Sequence, residues 1–223
     1  MLKLSAGLLG VGTVAAGGVL VYKGLSKPLT YSIKDLLAVE NPEKRLISKS
    51  SDGSSAEWKE AWKLYLSSYK KDGKNPFFLS KDKPNTEPDG KENAPAEFMN
   101  KCEEFSRDMV VDKKDNRYQN VLDYCTRNTL IQDLIQELGR TLLKESGDDW
   151  SVGWESYRKA NAGRQQSQDI WKLSDWSNAQ NSSSPVSEDF KKKCKDKLES
   201  SVGAKVDDDY QNVVNWCSKP KKQ

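Results

Sequence analysis

The chain repeats itself, and this constrains its fold more than any other feature. A shift of 92 positions places Trp58, Trp62 and Tyr65 on Trp150, Trp154 and Tyr157, and Phe98 and Lys101-Cys102 on Phe190 and Lys193-Cys194. The same shift places Tyr118-Gln119-Asn120-Val121 on Tyr210-Gln211-Asn212-Val213, and Cys125 on Cys217. Order and spacing kept together over such a stretch indicate two copies of one structural unit, each burying equivalent side chains. Upstream the match continues with small gaps. Ser32 to Leu37 matches Thr129 to Ile135, and Arg45-Leu46-Ile47-Ser48-Lys49 aligns with Arg140-Thr141-Leu142-Leu143-Lys144. Residues 28–128 are therefore expected to form the first repeat and 129–223 the second, with the boundary near Asn128.

Within each copy the apolar residues recur at helical intervals. Trp58, Trp62 and Tyr65 share one face of a helix that Ser54 or Ser55 can cap. Phe98, Cys102, Phe105 and Met109 share another, with Pro95 at its start, and Ser187 is the expected cap of the equivalent helix carrying Phe190, Cys194 and Leu198. Tyr118, Val121, Leu122 and Cys125 form a third stripe. The aromatic landmarks are read as core. Residues 71–94 and 163–186 are polar and rich in turn formers, and read as loops in which the copies differ most. Trp171 and Trp176 belong to no repeat landmark and are the candidates for an exposed contact surface.

The four cysteines fall in two pairs, Cys102 with Cys125 and Cys194 with Cys217, each 23 positions apart around a polar turn. Two helices joined by such a turn run antiparallel, which brings the paired positions face to face at disulfide distance. Pairing within each copy is the expectation, and it implies an oxidising compartment. Four buried thiols in a cytosolic protein are the alternative.

From Leu4 to Tyr22 there are nineteen residues without a charge, flanked by Lys3 and Lys23. A helix of that length spans about 28 Å, close to the hydrocarbon core of a bilayer. Residues 1–27 are read as a membrane anchor and flank, with residues 4–22 in the lipid bilayer. A cleaved signal peptide cut near Ala16 and a buried helix are the other readings. Lys3 is opposed by Lys23, Lys27 and Lys34, so charge bias does not place the body outside; only the cysteines do. The expected fold is thus mainly α: an N-terminal transmembrane helix and two tandem small helical modules, each with one disulfide across an antiparallel helical hairpin.

The residues offer little for catalysis. Histidine is absent, which removes the commonest general base and metal ligand. No cysteine pair has zinc-ligand spacing, and no glycine-rich loop follows a strand to cradle phosphate, so neither metal nor cofactor is expected. The 36 basic and 33 acidic residues are interspersed, unlike the basic stripe of a nucleic-acid binder. The lysine-rich run Lys191 to Lys197 has Glu103 and Glu104 at its counterpart, and reads as a solvated helix face.

The short Gly- and Ala-rich leading span, Asp35-Leu36-Leu37, Arg45-Leu46-Ile47, Trp58 to Tyr65, Lys193-Cys194 and the closing Trp216-Cys217 resemble the expanded paralogous proteins of haemotropic mycoplasmas. The first copy departs from that pattern by ending in Tyr124-Cys125. The resemblance implies a wall-less bacterium that attaches to red cells, and variable proteins on its membrane. It supplies no catalytic or binding residue. The expected function is a cell-membrane surface protein, single-pass with its body extracellular, serving adhesion or antigenic variation with a host-cell surface component as partner. A cytoplasmic-facing scaffold with free thiols is the alternative.

Overall fold

The computed structural model describes residues 28–50, 52–181, 185–202 and 209–221. The expected membrane span over 4–22 lies outside the described residues. Among the described residues no helix is long and apolar enough to cross a membrane.

The first repeat runs β1 (Tyr31–Ser32), α1 (Ile33–Glu40), β2 (Lys44–Leu46), α2 (Ala56–Asp72), α3 (Ala96–Ser106), β3 (Met109–Val110), α4 (Asn116–Tyr124) and β4 (Thr126–Asn128). Its helix starts are set by side chains that satisfy otherwise unpaired amides. Ser55 Oγ accepts the Trp58 N–H at 3.3 Å, and Asp115 accepts the Arg117 N–H at 2.9 Å. At the other end of α2, Gly73 adopts the left-handed conformation that closes the helix.

The second repeat runs α5 (Ile131–Glu137), β5 (Arg140–Leu142), α6 (Ser151–Ala160), α7 (Trp176–Ala179), α8 (Glu188–Leu198), α9 (Tyr210–Cys217) and β6 (Ser218–Pro220). Ser187 caps α8 as expected, its Oγ accepting the Phe190 N–H at 3.0 Å.

Each repeat has its own hydrophobic core, one drawn from residues Ile33 to Cys125 and the other from Ile131 to Cys217. The aromatic geometry is duplicated. Trp62 stacks on Tyr65 at 5.6 Å and Trp154 on Tyr157 at 5.7 Å, while Phe98 and Phe190 lie 5.0 and 5.1 Å from those tryptophans. Such ring pairs add about 0.5–1.5 kcal/mol each beyond the area they bury.

The chain is helix-rich, but it also contains short strands that the periodicity does not announce. β1 pairs with β3, β2 with β4 and β5 with β6, all antiparallel, and a bridge between Leu130 and Ser201 stands where the second copy repeats the β1–β3 contact. These pairings tie the start of each repeat to its later part. Ile33 donates to the Asp108 carbonyl, and Ile131 to the Ser200 carbonyl. They also correct the alignment. Lys44 faces Asn128 and Arg140 faces Pro220, so Lys44, not Arg45, corresponds to Arg140, and Leu46 corresponds to Leu142.

Both disulfides form within their own repeats. Cys102 joins Cys125 and Cys194 joins Cys217, with Cα separations of 5.4 and 5.5 Å. Each bond ties α3 or α8 to the residue that ends the final helix.

Candidate functional site

The two loops read as divergent share a buried device. Phe77-Phe78-Leu79 and Trp171-Lys172-Leu173 insert their outer residues into the two cores, while the central residue turns outward at φ 53 in both. A tyrosine anchors each turn. Tyr65 Oη donates to Asn75 Oδ1 and receives the Phe77 N–H; Tyr157 Oη donates to Asp169 Oδ2 and receives the Trp171 N–H. Ser80 then binds Glu97 as Ser174 binds Asp189. Burial pushes the Tyr65 hydroxyl up to about 12, and burial with the Asp169 hydrogen bond raises Tyr157 further.

This geometry corrects the assignment of Trp171 and Trp176 to an exposed contact surface. Their exposures are 5% and 1%. Trp171 stands in the second core where Phe77 stands in the first, its indole N–H held by Asp209, and Trp176 donates to the Arg164 carbonyl at 2.9 Å. The outward residue of the turn is instead Phe78 or Lys172, and Phe78 is 84% exposed.

The repeats also differ at a cleft between the strap leaving the second strand and the cysteine-bearing helix. In the first repeat this cleft is about 220 Å³, bounded by Leu46, Ile47, Trp58, Met99, Glu103 and Ser106. The strap is pinned across it. Lys49 pairs with Glu103 at 3.0 Å, and Ser50 Oγ reaches Met99 Sδ at 3.6 Å. Gly53 then lies so close to Ala94 that an added Cβ would stand 2.0 Å from the Ala94 carbonyl oxygen, at a φ of 65 that also favours glycine.

In the second repeat one cleft of about 640 Å³ takes in the equivalent positions and also the neighbouring face, whose first-repeat counterparts Lys34, Ala38, Lys44, Arg45 and Ser48 line a separate cleft of about 750 Å³. The straps themselves differ in length. Trp58 donates to the Ser48 carbonyl and Trp150 to the Lys144 carbonyl, each at 2.9 Å, which makes the two straps equivalent at those ends. Ten positions separate the first pair and six the second, so the second strap is four residues shorter. Its apolar floor is Leu142, Leu143, Trp150 and Leu198. Its rim holds Arg140, Lys144, Lys191, Lys195 and Lys221 against two acids, Glu145 and Glu199.

The charges are exchanged between copies. Glu145 and Lys195 occupy the places of Lys49 and Glu103, yet they form no ion pair with each other. Lys191 pairs with the exposed Glu188, and Arg140 donates to Ser218 Oγ at 2.7 Å. Lys144, Lys195 and Lys221 are in none of the ion pairs among the described residues. Two lysines of the run read as a solvated face, Lys191 and Lys195, thus border an apolar recess. The readable signal for this cleft was the change in offset from 96 at Leu46 and Leu142 to 92 at Trp58 and Trp150.

Among the described residues no group of three or more histidine, cysteine or acidic side chains is arranged to hold a metal ion. No protein-family model, curated protein or solved structure matches this chain.

Proposed function

We propose that this chain is a membrane-tethered binding and display protein whose second repeat carries the ligand site. One observation supports this reading above the others: a single frame is used twice, with the ground between strap and cysteine-bearing helix crossed by the Lys49–Glu103 bridge in one copy and part of a wider, apolar-floored and cationic cleft in the other. A frame that keeps its aromatic landmarks and disulfide while its cleft and outward turn residues change suits recognition, since such surface variation leaves the shared frame in place. Catalysis is not part of the proposal.

In this reading residues 4–22 anchor the chain in the bilayer, and each disulfide clips an antiparallel helical hairpin on the oxidising side of the membrane. Two bridged cysteine pairs support an exported body. The similarity to variable proteins of haemotropic mycoplasmas supports adhesion to a host cell or antigenic variation. The expected result of protease treatment of intact cells is loss of the body with the span retained. Full protection, with four alkylatable thiols in the native protein, would select a cytoplasmic-facing scaffold, the reading favoured by Lys23, Lys27 and Lys34 beside the span.

A further inference from the structure

We infer that the cleft of the second repeat binds a single-chain anionic amphiphile, with its acidic head on Lys144, Lys195 and Lys221 and its chain along Leu142, Leu143, Trp150 and Leu198. The inference rests on the proposed reading of this cleft as the ligand site and names the class of ligand. A volume of about 640 Å³ falls in the range of small-molecule sites, which runs from roughly 300 to 1,000 Å³. The floor carries no charge. Leu143, Trp150 and Leu198 are all buried side chains whose edges border the recess. The Trp150 ring is fixed by its hydrogen bond to the Lys144 carbonyl, so the floor is formed in advance.

The rim supplies the second half of the recognition. Lys144, Lys195 and Lys221, which form no ion pair among the described residues, border an apolar recess whose counterpart in the first repeat is crossed by the Lys49–Glu103 bridge. Cationic groups beside an apolar floor complement a molecule that is charged at one end and apolar along its length. A free inorganic anion would leave the floor unused, and a neutral amphiphile would leave the lysines unused.

The test uses the full chain in nanodiscs of neutral phosphatidylcholine, with a photoactivatable dodecyl phosphate as probe and empty discs as background. Labelling should fall on peptides containing residues 142–150 or 191–198. Excess dodecyl phosphate should compete, whereas inorganic phosphate and dodecyl maltoside should not. Each methylene added to a competing alkyl phosphate should tighten competition about three- to fourfold until the floor is filled. Lys144→Glu with Lys195→Glu should reduce labelling at least tenfold, and Lys144→Arg with Lys195→Arg should retain it; intact disulfides in both variants report that they fold. Labelling confined to residues 4–22, equal competition by dodecyl maltoside or inorganic phosphate, or undiminished labelling of the charge-reversed variant would overturn the inference. Exposure on the cell surface is read separately by protease treatment, so failure of either proposal is seen without the other.

Discussion

At the scale of single residues the two copies act as controls for one another. Asn75 and Asp169 accept from equivalent tyrosines, but Asn75 Nδ2 also donates to the Leu79 carbonyl at 2.9 Å. Asp169 has no donor to offer there: it is 1% exposed, and its Oδ1 has no hydrogen-bond partner. An unsatisfied buried polar atom costs about 1–3 kcal/mol. Asp169→Asn should therefore stabilise the second repeat by about 1 kcal/mol or more, and Asn75→Asp should destabilise the first by a similar amount, both read as shifts in denaturant midpoint. This network was not legible in the sequence. It lies at an offset of 94, two residues out of step with the landmarks on either side, so the sequence shows no counterpart for Trp171 and nothing in it marks that residue as core. The aromatic landmarks were legible because Trp58, Trp62 and Tyr65 keep their helical spacing and their offset together.

At the scale of elements, the close approach of α6 to α9 is set by Gly153. A Cβ at that position would meet the Trp216 carbonyl oxygen at 2.2 Å. The equivalent position in α2 is Ala61, which is buried without needing glycine. Helix propensity alone favours Gly153→Ala by up to about 1 kcal/mol. The backbone clash reverses the sign, and the substitution should destabilise the second repeat by about 1–3 kcal/mol, measured by thermal or chemical unfolding. The helices and the caps at Ser55 and Ser187 could be read from spacing and residue type. The strands could not, because two or three residues carry no alternation to read, and their stability comes from partners tens of residues away. The cationic cleft is hidden for a similar reason: its lining comes from segments tens of residues apart, and the lysines beside it look like any exposed helix face.

At the scale of the whole molecule, the link from one repeat to the next is electrostatic as well as covalent. Arg127 on β4 grips Asp133 on α5 with hydrogen bonds of 2.6 and 2.9 Å, and Arg45 on β2 reaches Glu137 at 2.9 Å. Burial pushes the Asp133 carboxyl up, but the Arg127 hydrogen bonds, the Leu130 N–H and the nearby arginine charges outweigh it and hold the group below its ordinary value. A carboxylate depressed in the folded state contributes stability that is complete above its unfolded value of about 4 and is lost as pH falls through the folded value. The chain should lose stability below about pH 4, and Asp133→Asn should flatten that acid limb when unfolding midpoints are compared across pH. Each disulfide closes a loop of 23 positions and is worth about 3 kcal/mol in the chain-entropy account. Replacing both Cys194 and Cys217 by serine should lower the stability of the second repeat by about that amount while Cys102–Cys125 stays formed. The duplicated frame itself is tested most directly by mass mapping of cysteine connectivity in protein taken from its native membrane. The expected result is Cys102 bonded to Cys125 and Cys194 to Cys217, with no alkylatable thiol; bridges running between the repeats, or four thiols reduced in place, would contradict it.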